Sequence, residues 1–191
     1  MTDQKRVAII TGMGVLAANG IGRGAFGDAL AESRSGIGEI VSFDASTLRR
    51  ERAAEMPDFD ENDFLRSPKN YLDRTSALAF AACEMAVRES DLALPDNPLE
   101  HGLAVGSMGG NLETLSAFHE KVREKGPRLA SPFLFPHTYY NCTAGLLSIE
   151  YGLGGPHAQF CSGSAAGLEA VAHATECIER GRAEVMIAGG A

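Results

Sequence analysis

The segment from Phe160 to Gly167 (FCSGSAAG) constrains the fold of this 191-residue chain more than any other. An apolar stretch that ends in a glycine turn and continues into small residues is typical of a strand followed at once by a helix. This arrangement places Ser164 at the N-terminus of the helix, where unpaired N–H groups and the helix dipole favour negative charge. Nucleophiles of acyl-transfer enzymes often occupy such turns. Ser164 is therefore the first candidate for a functional residue.

Strand and helix patterns alternate along most of the chain. Runs of β-branched and apolar residues predict buried strands, and apolar residues at helical spacing predict amphipathic helices. The predicted strands are residues 6–11, 102–107, 157–162 and 184–188, and the predicted helices are residues 25–33, 74–91, 112–125, 141–151 and 165–180. Residues 12–24 and 36–62 are expected to form loops, the second with one short strand. The alternation predicts one α/β domain over residues 1–191, with a largely parallel mixed sheet flanked by helices.

The pattern Gly12-Met13-Gly14-Val15-Leu16-Ala17 matches the glycine-rich turn of dinucleotide-binding proteins. Such a site needs a helix directly after the turn, with its N-terminus on the pyrophosphate. Residues 19–24 instead contain three glycines and an asparagine, which disfavour a helix. A structural glycine turn is the favoured interpretation.

A series of short motifs extends along the whole chain. They are Thr11-Gly12-Met13-Gly14, Gly36-Ile37, Gly126-Pro127-Arg128, Ser131-Pro132-Phe133, Asn141, Ala144-Gly145, Tyr151-Gly152-Leu153-Gly154-Gly155-Pro156 and Val185-Met186-Ile187-Ala188-Gly189-Gly190-Ala191. Together they resemble the β-ketoacyl-ACP synthase family, which has the thiolase-like fold. In the ungapped register set by the last two motifs, Ser164 stands where that family has its acyl-accepting cysteine. Cys161 lies too early in this register.

The resemblance implies the N-terminal half of a pseudo-duplicated fold. The chain stops after a core strand, which is about the midpoint of similar proteins. We therefore expect a fragment, one chain of a split protein or a truncated homologue. The family's two catalytic histidines and its lysine belong to the second half, and none of the five histidines here lies at a matching motif. The chain alone is not expected to condense substrates.

Ser164 has two open interpretations. Serine commonly caps a helix N-terminus, and here it is also a candidate acylated nucleophile. A helix dipole can bring a thiol, whose pKa starts at about 8.5, into the working range, whereas a hydroxyl needs a general base. A serine-hydrolase elbow (G-x-S-x-G) is not matched, because Ser162 stands where the first glycine belongs. Cys161 is expected to be a buried packing residue.

The resemblance assigns two further groups of site residues. Met108, Phe133, Phe135 and Tyr139 are expected to line the acyl pocket, although such aromatic residues are more often part of a core. Arg66, Lys69, Arg74 and Arg128 fall in segments where similar proteins meet an acidic carrier, although a solvated surface is the commoner role of any one basic residue. The substrate would arrive on the phosphopantetheine arm of an acyl carrier protein, and we expect no cofactor or metal besides.

The function that the resemblance implies is acyl transfer and decarboxylative Claisen condensation in fatty acid or polyketide biosynthesis, once a second half completes the site. The alternative is a non-catalytic partner similar to chain-length factors, which pair with an active ketosynthase and lack its cysteine. In both cases we expect a homodimer, or a heterodimer with a ketosynthase-like chain, with residues 141–151 and 157–162 at the interface.

Composition narrows the class of protein further. The net charge of −8 argues against a nucleic-acid partner. No apolar run approaches the roughly 20 residues that a membrane-spanning helix needs. The four cysteines show no CxxC spacing, which fits thiols in a reducing compartment. We therefore expect a cytoplasmic protein.

Overall fold

The computed structural model describes residues 6–69, 72–91 and 97–191. The chain divides into two compact units. One contains residues 11–65 and 81–92, and the other contains residues 1–10, 66–80 and 93–191.

Two short antiparallel ladders are formed by the unit that contains residues 11–65. β1 (Leu16–Ala17) pairs with β2 (Gly20–Ile21), and β3 (Ile37–Glu39) pairs with β4 (Arg52–Ala54). Helix α1 (Arg23–Ala31) follows β2 directly. The ladders lie where the sequence predicted loops with one short strand, because strands of two or three residues leave too little periodicity to recognise.

Gly12 and Gly14 pack closely against the later part of helix α2 (Arg74–Ser90). A Cβ on Gly14 would lie 1.7 Å from the carbonyl oxygen of Ala82, and a Cβ on Gly12 would lie 2.1 Å from that of Ala86. These contacts require glycine, because any side chain would collide with the helix backbone. They support the structural interpretation of the glycine pattern at residues 12–17.

A parallel three-stranded sheet organises the other unit. Its central strand is β5 (His101–Gly106), which lies between β6 (His157–Phe160) and β7 (Val185–Gly190). Leu103 of β5 pairs with His157 on one side and with Ile187 on the other. All six residues of β5 are buried, as expected for a central parallel strand.

Three helices belong to the same unit: α3 (Leu112–Lys125), α4 (Cys142–Tyr151) and α5 (Ala166–Glu179). The connection from β5 to β6 contains α3 and α4, and the connection from β6 to β7 contains α5. Ala170 and Ala174 of α5 pack against Ala104 of β5. These small side chains allow the helix to approach the sheet closely, which places its N-terminus near the strand ends.

All five predicted helices and three of the four predicted strands are confirmed, and the class is α/β. The prediction of a strand at residues 6–11 is wrong. Residues 6–10 form no strand, and Val7, Ile9 and Ile10 are 70%, 76% and 78% exposed. β5 pairs directly with β7, and no strand in the described ranges offers residues 6–10 a hydrogen-bonded ladder. β-propensity without a partner strand does not produce a strand.

Candidate active site

The turn that carries Ser164 follows β6 at the carboxyl end of the parallel sheet. The backbone amide of Ser107 donates to the carbonyl oxygen of Phe160 at 2.9 Å, and that of Ala191 donates to the carbonyl oxygen of Gly106 at 2.9 Å. These bonds join the carboxyl ends of β5, β6 and β7 along one edge. In open parallel sheets this edge is where ligands bind.

Glycines allow α5 to begin directly on this edge. A Cβ on Gly106 would lie 2.2 Å from the carbonyl carbon and oxygen of Ala166. Gly163 has a φ of +77°, which turns the chain from β6 into the 3-10 turn Gly163–Ala165 and then into α5. The strand, turn and helix predicted from residues 160–167 are all present.

Ser164 is exposed within this 3-10 turn. The N-cap residue of α5 is Ala165, and no side chain caps the helix, so the interpretation of Ser164 as an N-cap is wrong. The 3-10 turn displaces the serine from the capping position. Among the residues that the structure describes, none makes a hydrogen bond with the Ser164 hydroxyl. The turn therefore presents a serine without a hydrogen-bonded general base, which a serine nucleophile needs.

A carboxylate lies at the same turn. Ser162 Oγ donates to Glu169 Oε2 at 2.5 Å, and Glu169 belongs to the first turn of α5. Carboxylates stabilise helix N-termini by interacting with the dipole. Glu169 is not among the site residues predicted from the sequence, although an acidic residue in the first turn of a helix is a recognisable signal.

Cys161 is exposed, so the prediction that it is buried is wrong. β6 ends at Phe160, and the chain leaves the sheet before Cys161. Cys83 and Cys177 are buried, and Cys142 is half-buried.

The four residues predicted to line the acyl pocket are exposed in this chain. The exposed fractions are 77% for Met108, 73% for Phe133, 46% for Phe135 and 51% for Tyr139. Met108 lies in the loop that follows β5, whereas Phe135 and Tyr139 contact each other edge to face at 5.3 Å. Such exposure does not fit core packing, and the pocket assignment stays a prediction.

A buried polar cluster connects the beginnings of α2, α3 and α4. Asp73 accepts a hydrogen bond from the Ser76 amide at 2.8 Å, and the Ser76 and Thr143 hydroxyls lie 2.8 Å apart. Thr143 Oγ1 donates to Asn111 Oδ1 at 3.3 Å, and Asn111 Nδ2 donates to the His137 backbone oxygen at 2.9 Å. These bonds hold the segment around His137 in place.

Cys142 belongs to the same region, with its sulfur 3.6 Å from His137 Nδ1. Burial, followed by the negative charge of Asp73, raises the pKa of the Cys142 thiol. A thiol with a raised pKa stays protonated at neutral pH, so this pair is structural rather than nucleophilic.

Lys69 and Arg66, which were predicted to dock a carrier, contact other side chains of the same unit. Lys69 Nζ lies 2.6 Å from Glu150 Oε2, in a pair whose side chains are 18% and 12% exposed. The Arg66 guanidinium lies 4.4 Å from the centroid of the Tyr151 ring. Both cations therefore already have partners.

The other two docking candidates are exposed. Arg74 is the first residue of α2, and Arg128 lies in the 3-10 turn Pro127–Leu129, just after α3. The docking assignment of all four residues stays a prediction.

Membrane-spanning helices and metal-binding clusters are absent from the described ranges. No helix there is long and apolar enough to cross a bilayer. No group of three or more His, Cys, Asp or Glu side chains there is arranged to hold a metal ion.

Comparison with known amino-acid sequences identifies a family. Residues 4–191 match the family model of the beta-ketoacyl synthase N-terminal domain. The 3-oxoacyl-[acyl-carrier-protein] synthase 2 of Vibrio harveyi is 37% identical over 189 residues, which cover 98% of this chain and 46% of the relative. The enzyme of the same name from Synechocystis is 33% identical over 190 residues, covering 98% and 45%. The chain thus spans about half the length of these relatives.

Solved structures lead to the same family. The ishigamide ketosynthase/chain length factor matches with a TM-score of 0.86 at 25% identity, over 97% of this chain and 47% of that one. A β-ketoacyl synthase from Burkholderia phymatum matches with a TM-score of 0.78 at 26% identity, over 97% and 46%. The thiolase-like α/β fold is therefore confirmed. The chain belongs to the β-ketoacyl synthase family, of which it carries the N-terminal domain.

Proposed function

We propose that this chain is a component of a β-ketoacyl-ACP synthase in fatty acid or polyketide biosynthesis. One observation carries the proposal: the turn with Ser164 stands at the carboxyl ends of three parallel strands. The motif register supports it, because the resemblance implies that Ser164 occupies the position of the family's acyl-accepting cysteine. The names of the relatives, which are 3-oxoacyl-[acyl-carrier-protein] synthases, support the substrate class.

In the proposed reaction an acyl chain arrives as a thioester on the phosphopantetheine arm of an acyl carrier protein. The nucleophile of the synthase takes the acyl group and releases the carrier thiol. A malonyl thioester then loses CO₂, and the resulting enolate attacks the acyl carbonyl. The new carbon–carbon bond forms as the nucleophile leaves. Similar enzymes promote decarboxylation with histidines and a lysine from the half that this chain does not span. No further cofactor is part of this proposal.

The surroundings of Ser164 favour a second candidate, a non-catalytic partner similar to a chain-length factor. A hydroxyl ionises far less readily than a thiol, and a helix dipole alone does not replace a base. Ser164 has no hydrogen-bonded base in the described part of the chain, and Glu169 brings negative charge to the same turn. In this role the chain would shape the acyl tunnel, with Met108 and Phe133 at its wall, and would not form an acyl ester.

Partners follow from the same proposal. They are an acyl carrier protein and a ketosynthase-like chain, which is either a second copy or a different protein. Strand β6 lies at one edge of the sheet, and together with α4 it forms the proposed interface. The four free cysteines fit the reducing cytoplasm as the compartment.

Deleting the gene in its host tests the proposal. Carrier-bound β-ketoacyl intermediates and their fatty acid or polyketide products are quantified by mass spectrometry, before and after complementation. We expect one set of products to fall and the unchanged gene to restore it. Unchanged products after deletion would contradict the proposed function.

Complementation with Ser164→Ala separates the two candidates. A non-catalytic partner restores the products without the hydroxyl, whereas a serine nucleophile does not. Intact mass measurement after incubation with an acyl carrier thioester provides the second readout. An acyl adduct on the parent chain that Ser164→Ala abolishes would identify a serine nucleophile.

A further inference from the structure

The N-terminal end of α5 holds a carboxylate to which the proposed reaction gives no role. Glu169 Oε2 accepts a hydrogen bond from Ser162 Oγ at 2.5 Å. Glu169 lies in the first turn of α5, and Ser162 precedes Ser164 by two residues. The carboxylate is thus held at the turn that presents Ser164.

Negative charge at this end of α5 compensates the positive end of the helix dipole. The N-terminus of a helix carries a partial charge of about +0.5, which a full carboxylate charge offsets. No side chain caps α5, and Glu169 is the acidic residue in its first turn. Its carboxylate therefore interacts with the positive end of the helix dipole. A thiolate gains its stability at a helix N-terminus from the same dipole. A nucleophile at position 164 would therefore lose that benefit.

We propose that Glu169 is a positioning residue that, held by Ser162, occupies the positive end of α5 and makes the turn at Ser164 unfavourable for an anionic nucleophile. The inference rests on the second candidate of the proposed function, the non-catalytic partner, and deepens it. In this role the turn contacts a neutral, carrier-bound acyl thioester and does not itself become acylated.

The side chains at the neighbouring strand ends bring no competing charge. Residues 107–110, which follow β5, are Ser-Met-Gly-Gly, and residues 189–191, at the end of β7, are Gly-Gly-Ala. Neither segment carries an acidic or basic side chain. Glu169 is therefore the charged side chain to change in an experiment at this turn.

Two other titratable groups face this region. Cys161 is an exposed thiol three residues before Ser164. His173 lies further along α5, with its ring 5.6 Å from that of Phe160 and its Nε2 3.5 Å from the Cys177 sulfur. The experiment removes Cys161 and leaves His173 unchanged in every variant.

The pKa of a thiol introduced at position 164 measures the electrostatic effect of Glu169 at this turn. The chain with Cys161→Ala and Ser164→Cys is compared with the same chain that also carries Glu169→Gln. Alkylation by iodoacetamide is followed from about pH 6 to about pH 10, and the modified peptide is quantified by mass spectrometry. We expect Glu169→Gln to lower the pKa of the introduced thiol by about one unit. The alkylation rate at neutral pH should rise about threefold, because a thiolate of lower pKa is also less nucleophilic.

Two further variants make the result specific. Ser162→Ala releases the carboxylate of Glu169, and we expect a smaller shift in the same direction. Glu179→Gln removes an equal charge at the last residue of α5, about 15 Å further along the helix and beyond the Debye length of about 8 Å. This variant should leave the alkylation profile unchanged. Urea unfolding of each variant verifies that the fold is retained.

The outcomes separate the inference from the proposed function. Identical profiles with and without the Glu169 carboxylate, or an equal shift from Glu179→Gln, would overturn the inference. A purely structural role of Glu169 would change the urea midpoint and leave the thiol profile in place, which also overturns it. The gene-deletion experiment tests the proposed function independently of these profiles.

Discussion

Lys69 and Glu150 form an ion pair of 2.6 Å, in which only 18% and 12% of the two side chains are exposed. The Lys69 ammonium also lies 5.9 Å from the centroid of the Phe80 ring. The pair links the segment before α2 to helix α4. A charge with so little access to water depends on its partner, so the pair is part of the structure of this unit.

Removing one partner of this pair should destabilise the chain. We expect Lys69→Met to lower the free energy of unfolding by about 2 kcal/mol, because Glu150 is left unpaired and largely buried. The double change Lys69→Met with Glu150→Leu should recover most of this loss. Urea unfolding measures both values. Arg128→Met, at an exposed position, should stay within about 0.5 kcal/mol of the parent. A Lys69→Met chain as stable as the parent would show that the ion pair contributes nothing.

Docking of an acyl carrier protein should depend on Arg128, which lies in the 3-10 turn just after α3. Its side chain is exposed, so Arg128→Glu changes the surface charge without breaking an internal pair. We expect affinity for an acidic acyl carrier protein to fall about fivefold, and added salt to produce a similar loss. Fluorescence anisotropy with a labelled carrier measures both. Arg50→Glu, at another exposed position, is the charge-matched control, and an equal loss there would contradict specific docking.

The closeness of α5 to the sheet should make Gly106 intolerant of a side chain. A Cβ there would lie 2.2 Å from the Ala166 backbone, so Gly106→Ala should cost about 3 kcal/mol of stability or prevent folding. Gly145→Ala is the matched control, because Gly145 lies in α4 with no atom within 4 Å of an added Cβ. Alanine favours a helix over glycine, so this change should stabilise by about 0.5 kcal/mol. Equal effects of the two changes, measured by urea unfolding, would be inconsistent with the packing described.

Stability should fall in mild acid because of His101. Burial lowers the pKa of this side chain, which is 6% exposed at the start of β5. The stabilisation that neutral His101 contributes to the free energy of unfolding is therefore complete above the pKa of the unfolded chain, about 6.5. It is lost as the pH falls through the lower pKa of the folded chain. One such group changes the free energy of unfolding by at most about 1.4 kcal/mol per pH unit. His101→Gln should flatten this part of the pH profile, whereas His119→Gln, on the exposed side of α3, should not.

Local sequence patterns predicted most of this fold because the structure of a helix or a turn depends largely on residues that are close together in the sequence. Helix α3 ends where Gly126 and Pro127 stop any helix, so its boundary could be predicted from the sequence. Residues 6–10 failed as a strand because a strand depends on a hydrogen-bonded neighbour that local propensity does not supply. Cys161 was misplaced for a related reason, since its exposure depends on where β6 leaves the sheet.

The site was predicted only in part. The position of Ser164 follows from the turn residues around it, but the contact between Ser162 and Glu169 depends on how the 3-10 turn directs two side chains seven residues apart. That direction is a property of the folded turn, which the order of residues alone does not reveal.

The two serines of the turn should differ in their effect on stability, although they are only two residues apart. Ser162 donates to Glu169, so Ser162→Ala should cost about 0.5–1 kcal/mol. Ser164 makes no side-chain hydrogen bond to the described residues and does not cap α5, so Ser164→Ala should cost less than about 0.5 kcal/mol. An N-cap serine would instead cost about 1 kcal/mol when replaced by alanine. Paired urea unfolding curves measure the difference directly. A larger loss at Ser164 than at Ser162 would mean that the helix begins at the serine after all, and that the serine stabilises the helix instead of facing a substrate.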